Sequence, residues 1–443
     1  MNQSKILLSA LCASVSLSLF AQNTTPINAL GVAESDRLNT ITTAVPFLII
    51  TPDSRAGAMG DVGVATAPDV NSVYWNPSKL VRSEKNMGFA VSHSPWLRQL
   101  VPDISLSYLS GYGKIGDYTA VGGSFRYFSL GDIVFTNELG QEIYPFRPNE
   151  FSLDGFVATR LSDYLSGSVG FRFVNSNLTG GVPVQGAETK PGRTVAADIS
   201  AYYENTDFKI GDKDATLAAG VMISNIGGKI AYSNTSRSDF IPINLRIGPR
   251  LTVELDDYNT ISIAADFNKL LVPTPPIYKR DSTGALLVDA NNNLVIGAGD
   301  DPDKAVASGI FGSFADAPGS PLLGTDGDFL TNPDGTYQVD NGSVFREELN
   351  EVNIGIGMEY WYDKQFAVRA GYFYEHRNKG NRKFFSVGAG LHYNVFGLDL
   401  AYLIPAYFGS TFQTSPLQNT LRFTLTFDFD AFKQQNAQPK TDS

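Results

Sequence analysis

The chain reads as an all-β transmembrane barrel of fourteen antiparallel strands, with a short, partly helical N-terminal plug. Three observations predict it. Fourteen stretches alternate apolar and polar residues with period two. The gaps between them alternate short and long. After the N-terminus, no apolar run approaches the roughly 18 residues of a spanning helix. In 243–255, Ile243, Leu245, Ile247, Leu251, Val253 and Leu255 take one face, and Asn244, Arg246, Arg250, Thr252 and Glu254 the other. Near the C-terminus, Leu421, Phe423, Leu425, Phe427 and Phe429 alternate with Arg422, Thr424, Thr426 and Asp428. A strand reads this way between lipid and a wet lumen.

Residues 1–21 carry the marks of a secretory signal peptide: Lys5, an apolar core from Ile6 to Phe20, and a passable cleavage site after Ala21. The one cysteine, Cys12, sits inside it, and Leu11 stands where a lipoprotein signal has a small residue. The mature chain is therefore expected to have no disulfide and no thiol chemistry. Charged residues are 18%, below the roughly 25% of soluble domains. A net charge of −11 argues against nucleic acid as a partner.

Residues 22–86 precede the first strand and are too apolar for a solvated tail. Asp53 is placed to cap a helix from Ser54 to Met59, and Asp69 another near Asn71 to Asn76. Gly57, Gly60 and Gly63 permit close packing against a wall. A plug inside the barrel is one reading, and a periplasmic subdomain the other.

The strands are expected at 87–93, 102–111, 117–130, 150–160, 164–177, 193–205, 214–225, 242–255, 258–270, 348–360, 365–376, 382–393, 396–404 and 418–429. The even count suits a single-chain bacterial barrel. Gaps after even-numbered strands are short: 112–116, 161–163, 206–213, 256–257, 361–364 and 394–395. Those after odd ones are mostly long, 377–381 being the short exception. Short turns face the periplasm and long loops face out, so the chain is expected to be a multi-pass protein of the bacterial outer membrane with long loops extracellular. Residues 430–443 would form a periplasmic tail.

By parity Arg126, Asp154, Arg160, Arg172, Asp198, Arg246, Glu254, Asp266, Arg369 and Arg422 point inward. Near the midplane lipid would charge about 2–4 kcal/mol for an arginine, so these groups must meet water or opposite charge in the lumen. They form either a stiffening lattice or the lining of a conduction path.

The largest loop, 271–347, is rich in Asp, Asn, Gly and Pro but also carries Phe311, Phe314, Leu322, Leu323, Phe329 and Tyr337. A loop of roughly 75 residues is functional or disordered, and those apolar side chains need a partner or a small fold. Its acids do not match calcium-loop spacing. The histidines, His93, His376 and His392, show no metal-ligand spacing. Glu375 and His376 could form a rim dyad, but no nucleophile motif accompanies them. No catalytic residue, metal or cofactor is expected.

Two motifs remain: TPDSRAGAMGDVGVAT at 51–66 and Asn71 to Pro77, which ends in Trp75-Asn76-Pro77. Together they resemble the N-terminal region of the PorV (LptO) family of the type IX secretion system, a branch of the FadL-like barrels. The matching positions are Pro52, Asp53, Arg55, Ala56, Gly57, Met59, Gly60, Asp61, Trp75, Asn76 and Pro77. The resemblance continues in outline over the barrel, and the 271–347 loop looks long for the family. It implies a fourteen-stranded barrel and a non-enzymatic accessory of protein export. It also implies partners: the translocon barrel SprA (Sov), the C-terminal signal domains of secreted cargo, and the attachment complex containing PorU. Outer-membrane lipid and lipopolysaccharide would surround it.

Two functions follow. The first is a cargo-binding shuttle whose outer loops do the binding, with Phe311, Phe314, Leu322 and Phe329 as anchors. The second is a FadL-type transporter of hydrophobic small molecules, motivated by the same plug-and-barrel layout and by the apolar run Val45, Phe47, Leu48, Ile49 and Ile50. The polar lumen disfavours the second.

Overall fold

A computed structural model describes residues 38–429, apart from 98–100, 102, 137–139, 184–187, 235–236, 282, 326–327, 407–416 and 418–419. The expected signal peptide and C-terminal tail lie outside the described residues. Fourteen strands close into one antiparallel barrel. They are β1 (Met87–Pro95), β2 (Ile104–Ile115), β3 (Thr119–Leu130), β4 (Asn149–Arg160), β5 (Leu165–Asn177), β6 (Gly192–Ile210) and β7 (Lys213–Gly227). Then come β8 (Asn244–Glu254), β9 (Asn259–Leu270), β10 (Asn353–Tyr362), β11 (Phe366–Tyr374), β12 (Lys383–Tyr393), β13 (Phe396–Pro405) and β14 (Leu421–Phe429). Each pairs with its sequence neighbour, and β1 closes on β14 with Met87 opposite Phe429 and His93 opposite Phe423. Closure removes the open edges that would otherwise leave backbone groups unpaired in lipid.

The alternation sorts as read. Ile247, Ile263, Val368 and Leu400 are exposed on the outside, while Arg126, Arg172, Arg369 and Arg422 are buried inside. Turns at one end are tight. Asp363 and Lys364 both take positive φ (51° and 52°) in the three-residue connection between Tyr362 and its partner Phe366.

Three expectations need correction. The strand expected from 348 begins at Asn353, because Ser343–Asn350 is a helix whose glutamates are drawn to lysines distant in sequence. β6 runs on to Ile210, so the β6–β7 hairpin projects past β5, whose first residue Leu165 pairs with Tyr203. Glu254 shares the inward parity but is exposed, since it ends its strand at the short-turn mouth.

The inward charges meet each other. Arg172 bonds both Asp154 and Asp198, Arg126 also reaches Asp154 (3.4 Å), and Arg250 pairs with Glu204 (2.9 Å). Arg369 bridges Glu359 (2.7 Å) and Asp399 (2.6 Å). This is a lattice rather than a lined path, for the space between its members is occupied.

The occupant is the segment before β1. It enters at the long-loop mouth, where Asn39 donates its backbone N–H to Asn378 and its side chain to Glu347 (2.8 Å). It leaves at the short-turn mouth, where Arg82 donates to the carbonyls of Ser162 and Asp163. Nearly every side chain from Thr51 to Val81 is buried.

With the plug crossing the lumen from one mouth to the other, the full chain in a planar bilayer is expected to be electrically silent. Deleting residues 51–81 from a barrel that still inserts should give a steady ohmic conductance. A conducting full-length chain would contradict the filled lumen.

Candidate functional site

Two regions gather the chemistry, and the plug motif is the first. Asp53 caps the short helix Ser54–Gly57, accepting from the Ala56 N–H at 2.9 Å, a contact of about 1 kcal/mol. Its other oxygen takes the Trp75 indole N–H at 2.6 Å, so the two halves of the motif hold each other. Gly60 has φ +72°, and a Cβ there would lie 2.6 Å from the Tyr372 carbonyl oxygen of β11. Gly57 lies against Arg422 of β14. Gly63 bonds the wall through its N–H and also lies under the Trp75 ring, where a Cβ would come within 2.1 Å. Met59 is buried with Val62 and Ala264. Pro77 opens the next helical turn, and Asn76 ties Val64 to Ala201 of β6, each at 3.0 Å.

Arg55 makes the strongest attachment. Its Nε and one terminal nitrogen fork onto Glu359 of β10 (2.8 and 2.7 Å), and the other terminal nitrogen takes Asp69 (3.0 Å). Asp69 was expected to cap a helix; its carboxylate serves Arg55 and the Ser72 hydroxyl instead. Asp61 pairs with Arg422 (3.1 Å), and Asp266 of β9 accepts from the Gly63 and Val64 N–H groups (2.8 and 2.9 Å). The plug is thus bonded to β6, β9, β10 and β14 and packs closely on β11, and further hydrogen bonds reach β3 (Arg126 to the Leu48 carbonyl), β5 (Ser166 to the Ser78 carbonyl) and β12 (the Gly60 N–H to Ser386). Glu359 and Asp399 were missed in the sequence, although parity places Glu359 inward.

Between plug and long loops lies a cavity of ≈ 350 Å³. Its wall includes Trp75, Arg246, Asp61, Glu375, Lys379 and Arg382. Arg246 stacks on the Trp75 ring at 4.5 Å and donates to Asn268 (2.7 Å). Glu375 is forked by Arg382, and His376 Nδ1 accepts the Asn378 N–H, so the two residues of the supposed rim dyad are engaged separately. Ile41, Ile49, Leu270 and Phe373 share that wall with the charged groups, so the cavity is mixed in character rather than purely polar.

The second region is the loop between β9 and β10, which is folded. Lys279, Leu287 and Val295 close a ring of backbone hydrogen bonds, each donating to the next at 2.8–2.9 Å. Leu322, Leu330 and Gln338 repeat it with the same spacing of eight residues. The turns between are held by Asp281, Asp289 and Asp334, which accept N–H groups of their own turns. The Tyr337 N–H donates to Gly297 (2.7 Å) and joins the two rings.

At the loop's root, Lys269 of β9 bonds Glu348 (2.8 Å) and Glu351 (2.6 Å), and Lys379 bonds Glu347 and Glu351. Asp316 is also buried there, accepting weakly from the Thr274 N–H, with one oxygen unpartnered. Burial, and then the nearby Glu348 carboxylate, push its pKa up. Of the residues expected to bind partners, Phe311 is 80% exposed, Phe314 52% and Leu322 37%. Phe329 is half-buried against Tyr337, with ring centroids 4.7 Å apart. The loop brings these four to one connection but not to one point: Phe314 sits by Lys269, Phe311 is on the helix Val306–Gly312, and Leu322 and Phe329 belong to the second ring.

The chain matches, over residues 32–277, the family model described as type IX secretion system protein PorV. No curated protein matches it. Similar solved structures include a Pseudomonas aeruginosa FadL homologue, at 11% identity and TM-score 0.44, covering 88% of this chain and 100% of that one. The Ralstonia pickettii toluene transporter TbuX is 12% identical at TM-score 0.42, with 85% and 98% covered. The Pseudomonas putida toluene transporter TodX is 11% identical at TM-score 0.38, with 88% and 98% covered.

Two outcomes test this geometry. Arg55→Met leaves Glu359 with Arg369 as its one ion-pair partner and removes that of Asp69, and should cost about 3–5 kcal/mol, read as a lower unfolding midpoint by heat-modified gel mobility. The second concerns Asp316, whose raised pKa is a cost that is absent in acid. It appears as pH rises through the ordinary carboxylate range and is complete above the folded-state value. Asp316→Asn should therefore increase amide-exchange protection of 343–350 at pH 7 and leave it unchanged at pH 3. Equal protection at both pH values would refute the assignment.

Proposed function

The chain belongs to the PorV family of type IX secretion system proteins, and we propose that it captures the C-terminal signal domain of exported cargo and carries it to the attachment complex. It is an outer-membrane component of that secretion system. On this reading the long loops face the cell exterior, and the cargo is taken up beside a SprA-type translocon and delivered to a PorU-containing complex. The barrel anchors the loops in the membrane and lets them move laterally between those partners.

The observation that carries the reading is the filled lumen beneath a folded loop. A conduit needs an open path; this chain spends its lumen on ion pairs between plug and wall. What it offers at the long-loop mouth is a structured surface with large apolar side chains exposed, the composition of a protein-binding patch. No reaction is assigned to it.

A FadL-type transporter is the alternative, and the apolar start of the plug favours it. There Phe47 stacks on Phe128 with centroids 6.1 Å apart, and Leu48 packs beside it. Those side chains, however, are packed against protein rather than lining a void.

Native purification from the membrane separates the two. The shuttle reading expects a giant outer-membrane partner and cargo signal domains in the eluate, with no uptake of labelled fatty acid above background. Lipid as the sole companion, with uptake lost on plug mutation and secretion intact, would favour transport.

A further inference from the structure

One arginine in the cavity wall has no acid of its own. Arg246 of β8 is buried, with 6% of its surface exposed. Its Nε donates to the Asn268 side-chain oxygen (2.7 Å), and the guanidinium stacks on Trp75 at 4.5 Å. Neither terminal nitrogen has a hydrogen-bond partner among the described residues, and no carboxylate there pairs with it. The other two cations in the wall of the ≈ 350 Å³ cavity are taken. Lys379 bonds Glu347 and Glu351, and Arg382 forks onto Glu375.

The strand register sets further donors beside it. Arg246 stands opposite Asn268 of β9, and Asn268 stands opposite Asn353 of β10. All three line the cavity, as does Asn244 two residues along β8. The Asn268 oxygen is committed to Arg246, so its amide N–H groups are what it has left to offer. The side-chain amides of Asn244 and Asn353 also have no partner among the described residues. An uncompensated guanidinium with amide donors in the same row is a seat for a carboxylate, which arginine takes through two parallel bonds.

The rest of the wall indicates what that carboxylate is attached to. Ile41, Ile49, Leu270 and Phe373 give the cavity apolar ground, and Thr40, Thr51 and Glu375 stand among them. An alkyl chain laid there would strip water from those oxygens and return no hydrogen bond. The end of a polypeptide returns backbone amides, and its last side chain meets the apolar groups. The volume is near the lower end of the roughly 300–1,000 Å³ of small-ligand pockets, so a chain end fits and a folded domain does not. Thr40, Ile41 and Gly380 place the cavity just inside the long-loop mouth, where a chain arriving from outside reaches it.

We propose that this cavity seats the C-terminal carboxylate of the captured polypeptide on Arg246, with its last side chain against the apolar wall. This rests on the cargo-capture reading and gives it an anchoring point inside the barrel mouth.

The test uses the full chain in nanodiscs. The probes are a purified C-terminal signal domain of a secreted protein of the same cell, and the same domain with its terminal carboxylate converted to an amide. Wild type is expected to bind the free acid about tenfold more tightly than the amide, the worth of a charged hydrogen bond. Arg246→Gln should leave acid and amide equal, and Arg246→Lys should restore part of the preference. A purely structural role for Arg246 would weaken both probes alike and keep their ratio, which overturns the seat. Equal binding of acid and amide by wild type also overturns it, needs no variant to fold, and leaves cargo capture standing. Binding of neither probe overturns both. Displacement of the free acid by micromolar octanoate would make this a fatty-acid site and overturn the proposal, and no displacement is the result expected.

Discussion

The chain of charges Asp69–Arg55–Glu359–Arg369–Asp399 carries the structure. Three carboxylates and two guanidiniums alternate from the plug through β10 and β11 to β13, all buried except Asp69, which is partly covered. Unpaired, any one would be prohibitive in a dry lumen; together they offset one another, with Arg55 forked onto Glu359 and Arg369 shared between Glu359 and Asp399. Arg55 comes from the plug, so the wall cannot satisfy Glu359 fully without it. Barrel and plug therefore depend on each other: the strands close around a segment that completes their inner face.

That constraint decides where function can reside. The plug is fixed to strands all round the barrel, and its glycines and Trp75 leave little slack against the wall. Substrate passage would require breaking several buried ion pairs in concert. The remaining chemistry lies at the long-loop mouth, where a strap of plug residues, the Lys379 turn and the helix Ser343–Asn350 are bonded to one another. The loop between β9 and β10 is thereby held to the rim, and its folded rings and exposed aromatics are presented in a fixed place. Preorganisation of this kind lowers the entropy cost of binding a partner.

Much of this was legible in the residues. Period-two patterning located all fourteen strands, and Asp53 announced its helix. The motif residues Pro52 to Asp61 and Trp75 to Pro77 were identifiable as a unit, though not their contacts. What escaped depends on partners far away in the chain. Glu348 and Glu351 read as the start of a strand because Lys269, 79 and 82 residues away, is what turns them into one face of a helix. Asp69 is in capping position by spacing, yet Arg55 claims it. Gly63 is a wall contact through Asp266, and its second task as a seat for Trp75 was not legible in the sequence. The eight-residue repeat was present in Asp281 and Asp289 and in Leu286 and Leu294, but its acidic, glycine-rich background reads as solvated loop.

The central claim is that a plugged barrel serves as a fixed scaffold for its loops. Ser54 of the plug and Thr424 of β14 place their hydroxyl oxygens 3.1 Å apart. With the only cysteine of the chain at position 12, a Ser54→Cys, Thr424→Cys pair can be oxidised selectively to staple plug to wall. Secretion of cargo by cells carrying the stapled barrel is the direct measurement. The account predicts secretion equal to that of the reduced form. Secretion that stops on oxidation and resumes on reduction would contradict it.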